Sequence, residues 1–155
     1  MADIDALARL EAESFASDTL SRRSFIGLVR SPSAAFLVAA RGDRLIGYAT
    51  VLLRRGSHAG RLYSIAVDAG EAGRGIGSRL LEAAENAARA RKAGRLRLEV
   101  RADNAAAIRF YRRKGYRETG RRDGYYEDGT AAILFARPLA KAEPAEPARR
   151  LSRAA

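Results

Sequence analysis

The sequence predicts an α/β fold, a mixed central sheet flanked by helices, and three observations carry that prediction. RLYSIAV at residues 61–67 reads as a strand, a long amphipathic helical run follows it, and RLRLEV at 95–100 alternates strictly in polarity. Strand, crossover helix and strand in that order imply a parallel pair. Two strand patterns upstream are separated by one tight turn and form a hairpin. Two more strands lie downstream and pair antiparallel, so the sheet is mixed.

Taken in order, residues 3–15 (DIDALARLEAESF) carry Ile4, Leu7, Ala8 and Leu10 at helical spacing. Ser21 caps a second helix through about Arg30, with Phe25, Leu28 and Val29 on one side, and Ser31-Pro32 stops it. AAFLVAA is a strand, Arg41–Arg44 a turn and LIGYATVLLRR the return strand. Arg55–Gly60 is a loop. After Val67 comes the loop DAGEAGRGIGS, then a helix to about Lys92 with Ile76, Leu80, Leu81, Ala84 and Ala88 in one stripe. Gly94 is expected to end it. Asp103-Asn104 opens a short helix through Arg113, closed by Gly115, and strands follow near 116–122 and 131–137.

A chain of 155 residues suits one domain, placed at residues 1–139. The remainder, 140–155, is proline-rich and charged without apolar periodicity and is expected to be a disordered tail. No apolar run approaches the roughly 18 residues of a membrane helix, and MADIDALARL lacks the pattern of a signal peptide, so no membrane partner is expected. The absence of cysteine excludes disulfides, thiolate metal sites and a cysteine nucleophile, and fits a cytoplasmic location. His58, the single histidine, stands in a polar loop without a metal-binding cluster, so it is read as solvated and no metal is expected. The net charge of +11 attracts anions such as nucleic acid, acidic lipid or a phosphorylated cofactor. Its arginines are scattered, which fits a solvated surface equally well.

Gly73–Ser78 (GRGIGS) links a strand to a helix. Glycines there let the backbone approach a ligand, and the helix N-terminus offers N–H groups and positive dipole to a phosphate. Arg74 adds positive charge. The loop alone is also compatible with a plain turn. A dinucleotide-binding fingerprint needs a third spaced glycine, and a P-loop needs Gly-Lys-Ser/Thr; neither is present. The pyrophosphate of coenzyme A is the remaining ligand.

Three stretches then stand in order: LYSIAVDAGEAGRGIGSRLLEAA, LRLEVRADNAAAIRFYRRKGY and DGYYEDGTAAILFARPL. Together, over about half the chain, they resemble the GNAT superfamily of N-acetyltransferases. The second and third are similar to its bacterial ribosomal-protein-alanine branch. The resemblance implies the acyl-CoA N-acyltransferase fold with splayed central strands, and acetyl-CoA as cosubstrate. Two departures stand out. Ala72 occupies a position that often holds Gln or Arg, which puts one side-chain contribution in question and leaves the backbone cradle. The chain also starts almost at its first helix, where the family has a strand.

By the same resemblance, the strand ending at Ile65, Ala66 and Val67 pairs its backbone with the pantetheine arm. Ala72, Gly73, Arg74, Gly75, Ile76, Gly77 and Ser78 hold the pyrophosphate, and Asn104 contacts the cofactor arm. Glu99 is the expected general base and Tyr111 the expected acid for the leaving thiolate. Tyr125 and Tyr126 line the acceptor groove, opposite a wall near Phe15–Leu20. Each has a plain structural alternative. Glu99 lies on the polar face with Arg97 and Arg101 and pairs with arginines; Tyr111 is a core aromatic sharing a face with Ile108; Asn104 is a helix cap; the tyrosines are strand-end aromatics.

The expected activity is acetyl transfer to a primary amine by direct attack in a ternary complex. A protein N-terminal α-amine, as in a ribosomal protein, is the best-motivated acceptor, and the enzyme is expected to be a monomer or homodimer. Alternatives are a small-molecule amine, or a non-catalytic basic module binding nucleic acid or the ribosome. Nucleic acid is the weaker partner, because aromatic interleaving and recognised binding motifs are absent.

Overall fold

The computed structural model describes residues 4–15 and 19–140. Its elements are α1 (Ile4–Ser14), α2 (Arg22–Arg30), β1 (Ala34–Arg41), β2 (Arg44–Leu52), β3 (Ala59–Val67), a 3-10 turn (Ala69–Glu71), α3 (Ile76–Ala90), β4 (Arg95–Arg101), α4 (Ala105–Arg113), β5 (Arg117–Arg122) and β6 (Ala132–Pro138). They form one six-stranded sheet in the order β1-β2-β3-β4-β6-β5. Only β3 and β4 pair in parallel; the other neighbours are antiparallel. The expected mixed sheet and crossover helix are both present. The tail from 141 and the position of the family's leading strand fall outside the described residues.

The sheet is covered on both faces. On one, α3 and α4 enclose a core that includes Leu80, Leu81, Ala84, Leu96, Leu98, Tyr111 and Phe135. On the other, α1 and α2 bring Leu7, Leu10 and Phe25 against Tyr48 and Ala66. Residues 46–51 of β2 are buried without a break, as a strand covered on both sides must be. β4 instead alternates, with Leu96, Leu98 and Val100 in the core and Arg97, Glu99 and Arg101 on the opposite face. That face belongs to the α1–α2 side.

Two local expectations change. The α3 helix ends at Ala90, and the left-handed residue after it is Lys92, with φ +66°. The Ala93 N–H donates to the Ala88 carbonyl, so the chain terminates as a Schellman turn two residues ahead of Gly94. Glycine at 94 answers a different need. A Cβ there would lie 1.9 Å from Nε2 of His58, whose exposed ring packs directly on this backbone. The return strand β2 stops at Leu52, because a turn from Arg54 to Ser57 leads the chain toward β3. No helix among the described residues is long and apolar enough to cross a membrane.

Phe135 is fully buried where β6 meets α4. Phe135→Ala should lower unfolding free energy by about 3–5 kcal/mol, read in denaturant melts.

Candidate functional site

The site begins where the parallel ladder fails. β3 and β4 pair only from Ala59↔Arg95 to Arg61↔Arg97. Beyond that point β3 stays bonded to β2 as far as Val67, and β4 to β6 as far as Arg101. The two inner strands diverge while each keeps its outer partner. Between them lies a cavity of about 440 Å³. The free edge of β3 is a template for another extended chain.

A register shift opposite Thr50/Val51 leaves Tyr63 as an extra residue in β3. The bulge lets Leu62 and Ile65 pack on the α3 side while Ser64 turns toward Tyr48 on the α1–α2 side. The cavity therefore touches both layers. Leu98, Val100 and Tyr111 line it from one, and Glu11, Phe15 and Leu20 from the other.

The structure brings Glu99, Tyr111, Asn104, Ile65, Tyr125 and Tyr126 together around this cavity. Glu99 is held by Arg61, whose Nη2 and Nε donate to its Oε1 at 2.9 and 3.0 Å. Arg97 approaches its other oxygen at 3.5 Å. Arg61 and Arg97 face each other in register, an unfavourable like-charge pair that Glu99 offsets. Arg61 also donates to the Tyr125 hydroxyl at 3.1 Å. Tyr111 packs edge-on against Phe110 and Tyr116, and burial pushes its phenol above the ordinary tyrosine range. It is both a core aromatic and a cavity wall. The Asn104 side chain accepts from the Ala107 N–H at 3.1 Å, so its capping role is realised at the cavity rim.

The loop carrying Tyr125 and Tyr126 is tied to β4. The Arg101 guanidinium lies 4.9 Å from the Tyr126 ring centroid and bonds Asp128 and Thr130. Asp128 is pulled down to about 2, chiefly by Arg101 and then by the Thr130 N–H.

The glycine loop lies apart from this cavity, at the start of α3. Gly75 is the N-cap, with φ +78° and no side-chain cap, so side chains leave the first-turn N–H groups uncovered. Gly73 has φ +80°, and a Cβ at either glycine would meet nothing within 4 Å. Open space, exposed donors and the helix dipole suit a pyrophosphate, so these residues fit coenzyme A. Ile76 is buried and anchors the helix start. A Cβ on Gly77 would sit 3.9 Å from both Val67 and Phe110, so the start of α3 packs close to the end of β3 and to α4. Ala66 packs on the α1–α2 side. Ala72 ends the 3-10 turn, its N–H donating to the Ala69 carbonyl. Arg74 stands 3.9 Å from Glu71, which is 5% exposed and also receives Arg41 at 2.7 Å.

Arg61, Glu71, Phe110 and the buried set Glu11, Tyr48 and Ser64 are absent from the sequence reading. Arg61, Glu71, Glu11 and Tyr48 act through partners 30 or more residues away, and Ser64 through Tyr48 on the neighbouring strand, so no local pattern marks them. Among the described residues no group of three or more His, Asp or Glu is placed to hold a metal ion.

The model of the acetyltransferase (GNAT) family matches residues 2–116. The N-alpha-acetyltransferase RimI of Mycobacterium tuberculosis is 38% identical over 128 residues, covering 81% of this chain and 79% of the relative. A putative ribosomal-protein-alanine N-acetyltransferase of Bacillus subtilis is 30% identical, covering 86% and 87%. The crystal structure of the ribosomal-protein-alanine N-acetyltransferase from Escherichia coli superposes with a TM-score of 0.79 at 29% identity, covering 90% of each chain.

Arg41 is the main reason the Glu71 carboxyl sits below its ordinary range. A depressed carboxyl stabilises the fold above the unfolded value, and that contribution fades as pH falls through the folded one. Glu71→Gln should therefore melt below wild type at pH 7, and the gap should narrow toward pH 3.

Proposed function

The chain belongs to the acetyltransferase (GNAT) family, and on that premise we propose that it transfers the acetyl group of acetyl-CoA to the α-amine of a protein N-terminus, with a ribosomal protein as the leading candidate. The observation that carries this reading is the cavity through the sheet. It opens toward both the α4 side and the α1–α2 side, with Glu99 and Tyr111 on its walls, while the anion cradle stands apart from it at the head of α3.

In this reading Gly73, Arg74, Gly75, Ile76, Gly77 and Ser78, following Ala72, hold the pyrophosphate at the head of α3. The free edge at Ile65, Ala66 and Val67 aligns the pantetheine arm, with Asn104 beside it. Acetyl-CoA supplies an acetyl group activated as a thioester. The acceptor enters from the α1–α2 side, between Tyr125–Tyr126 and the wall of Phe15 and Leu20. Glu99 takes the proton that nitrogen sheds as it attacks, and Tyr111 gives its proton to the departing sulfur. Burial keeps Tyr111 protonated until that moment. The site of action in this reading is the cytoplasm.

Acetyl-CoA offered with free-amine peptides, N-blocked lysine peptides and polyamines together, read by mass spectrometry, should label the free N-termini. Labelling of lysine or polyamine instead would refute the acceptor class. Tyr111→Phe should cut turnover about a hundredfold or more while largely sparing acetyl-CoA affinity; wild-type turnover would remove the acid assignment. Gly75→Glu should abolish acetyl-CoA binding in calorimetry, since it puts bulk and negative charge into the cradle.

A further inference from the structure

An ammonium acceptor loses two protons on becoming an amide nitrogen. One is balanced by the proton that the departing sulfur gains. The other must leave before attack, because a protonated amine has no lone pair. Glu99 answers for one proton, and the α1–α2 side of the cavity holds a second carboxylate.

Glu11 of α1 is only 2% exposed yet borders the cavity. Its Oε2 accepts from the Leu20 N–H at 2.8 Å, and its Oε1 accepts from the Tyr48 hydroxyl. Tyr48 is fully buried, and its hydroxyl lies 2.6 Å from Oγ of Ser64. Ser64 also lines the cavity. A hydroxyl at the cavity surface is thus backed by a buried phenol, and the phenol by a buried carboxylate.

We propose that Glu11, reached through Ser64 and Tyr48, is a second proton acceptor that deprotonates the incoming ammonium group before attack. This rests on the reading that the acceptor is an amine. One N–H bond of the ammonium breaks as an O–H bond forms at Ser64 Oγ. The Ser64 proton passes to the Tyr48 oxygen, and the Tyr48 proton to Glu11 Oε1. The products are a neutral amine and a neutral carboxylic acid, with both hydroxyls restored.

The surroundings favour this direction. Burial raises the Glu11 carboxyl above its ordinary range, partly offset by the hydrogen bonds from Tyr48 and Leu20. Among the described residues no lysine or arginine pairs with Glu11, whereas Glu99 has two arginines. The charged and titratable groups around the relay are Tyr48 from β2, Arg61 and Tyr63 from β3, Glu99 and Arg101 from β4, and Tyr111 from α4, with Tyr125 and Tyr126 at the mouth. Arg61 is engaged by Glu99, and Arg101 by Asp103 and Asp128. From α2, apolar Phe25 packs against Tyr48.

The test is kcat/KM for a free-amine peptide between pH 6 and 9, in the full chain and in Glu11→Gln and Tyr48→Phe. Without the relay only the amine already deprotonated in solution reacts. With an N-terminal amine of pKa about 7.7–8.0, both variants should lose about twentyfold at pH 6.5 and less than about twofold at pH 9. Equal losses at both pH values indicate a structural role and overturn the relay, as does a profile that superimposes on wild type. Carbon NMR of the unliganded protein gives a readout independent of turnover. Glu11 should titrate above the usual glutamate value of about 4.3 and rise further in Tyr48→Phe; an ordinary midpoint overturns the proposal. Should Glu11→Gln fail to fold, Tyr48→Phe and the titration decide. A wild-type protein that labels no amine overturns the functional reading and the relay together, whereas a flat pH ratio in an active enzyme removes the relay alone.

Discussion

Everything at this site follows from the failure of one ladder. β3 and β4 are held together at Arg61↔Arg97 and released immediately after it, while each remains bonded to its outer neighbour. A sheet would ordinarily continue such a pairing, because unpaired backbone groups in the interior are costly. The separation is sustained by what fills and flanks it. The Tyr63 bulge redirects β3, and Leu98, Val100 and Tyr111 wall the α4 side. The result is a passage through the sheet between two chemically different layers. In the proposed reaction, this passage is where an acyl donor and an amine acceptor would meet.

The loop at α3 is organised around a second constraint. Gly73 and Gly75 both need left-handed backbone, which glycine adopts without the penalty other residues carry. Conformational freedom alone does not hold a cradle in place. Glu71, buried in the 3-10 turn just before the loop, ties that turn to Arg41 of β1, with Arg44 of β2 and Arg74 of the loop each 3.9 Å away. Arg74 thus stands 3.9 Å from a carboxylate that Arg41 already engages at 2.7 Å. Gly77 brings the start of α3 close to Val67 at the end of β3 and to Phe110 of α4.

Legibility in the sequence followed the range of the interaction. The elements were readable because their signals are local: the Ser21 cap, the alternation of residues 95–100, the apolar stripe of α3 and the glycines before it. Three motif residues, Glu99, Tyr111 and Asn104, stand at one cavity. Non-local partners were invisible. Arg61 reads as the polar start of a strand, yet it is the main partner of Glu99, 38 residues away. Glu11 reads as one more polar position on α1, and only tertiary packing makes it buried and bonded to Tyr48. Gly94 was legible as a glycine that mattered but not for its reason, because the constraint comes from the His58 ring in a different loop.

Net charge is the property whose meaning the structure changes most. A chain of +11 looks inhospitable to a cationic acceptor. At the cavity the arginines are already spoken for: Arg61 and Arg97 by Glu99, and Arg101 by Asp103 and Asp128. Glu11 adds a carboxylate without a cationic partner among the described residues. The field at the cavity mouth is thus set by short-range pairs, and charges more than about 8–10 Å away through solvent are largely screened at physiological salt. The surplus of arginine elsewhere on the surface acts at the range of encounter, where positive charge favours the approach of anions in general. In the proposed reaction, what governs the chemistry within hydrogen-bonding distance of the reacting nitrogen is which carboxylate is free to take a proton.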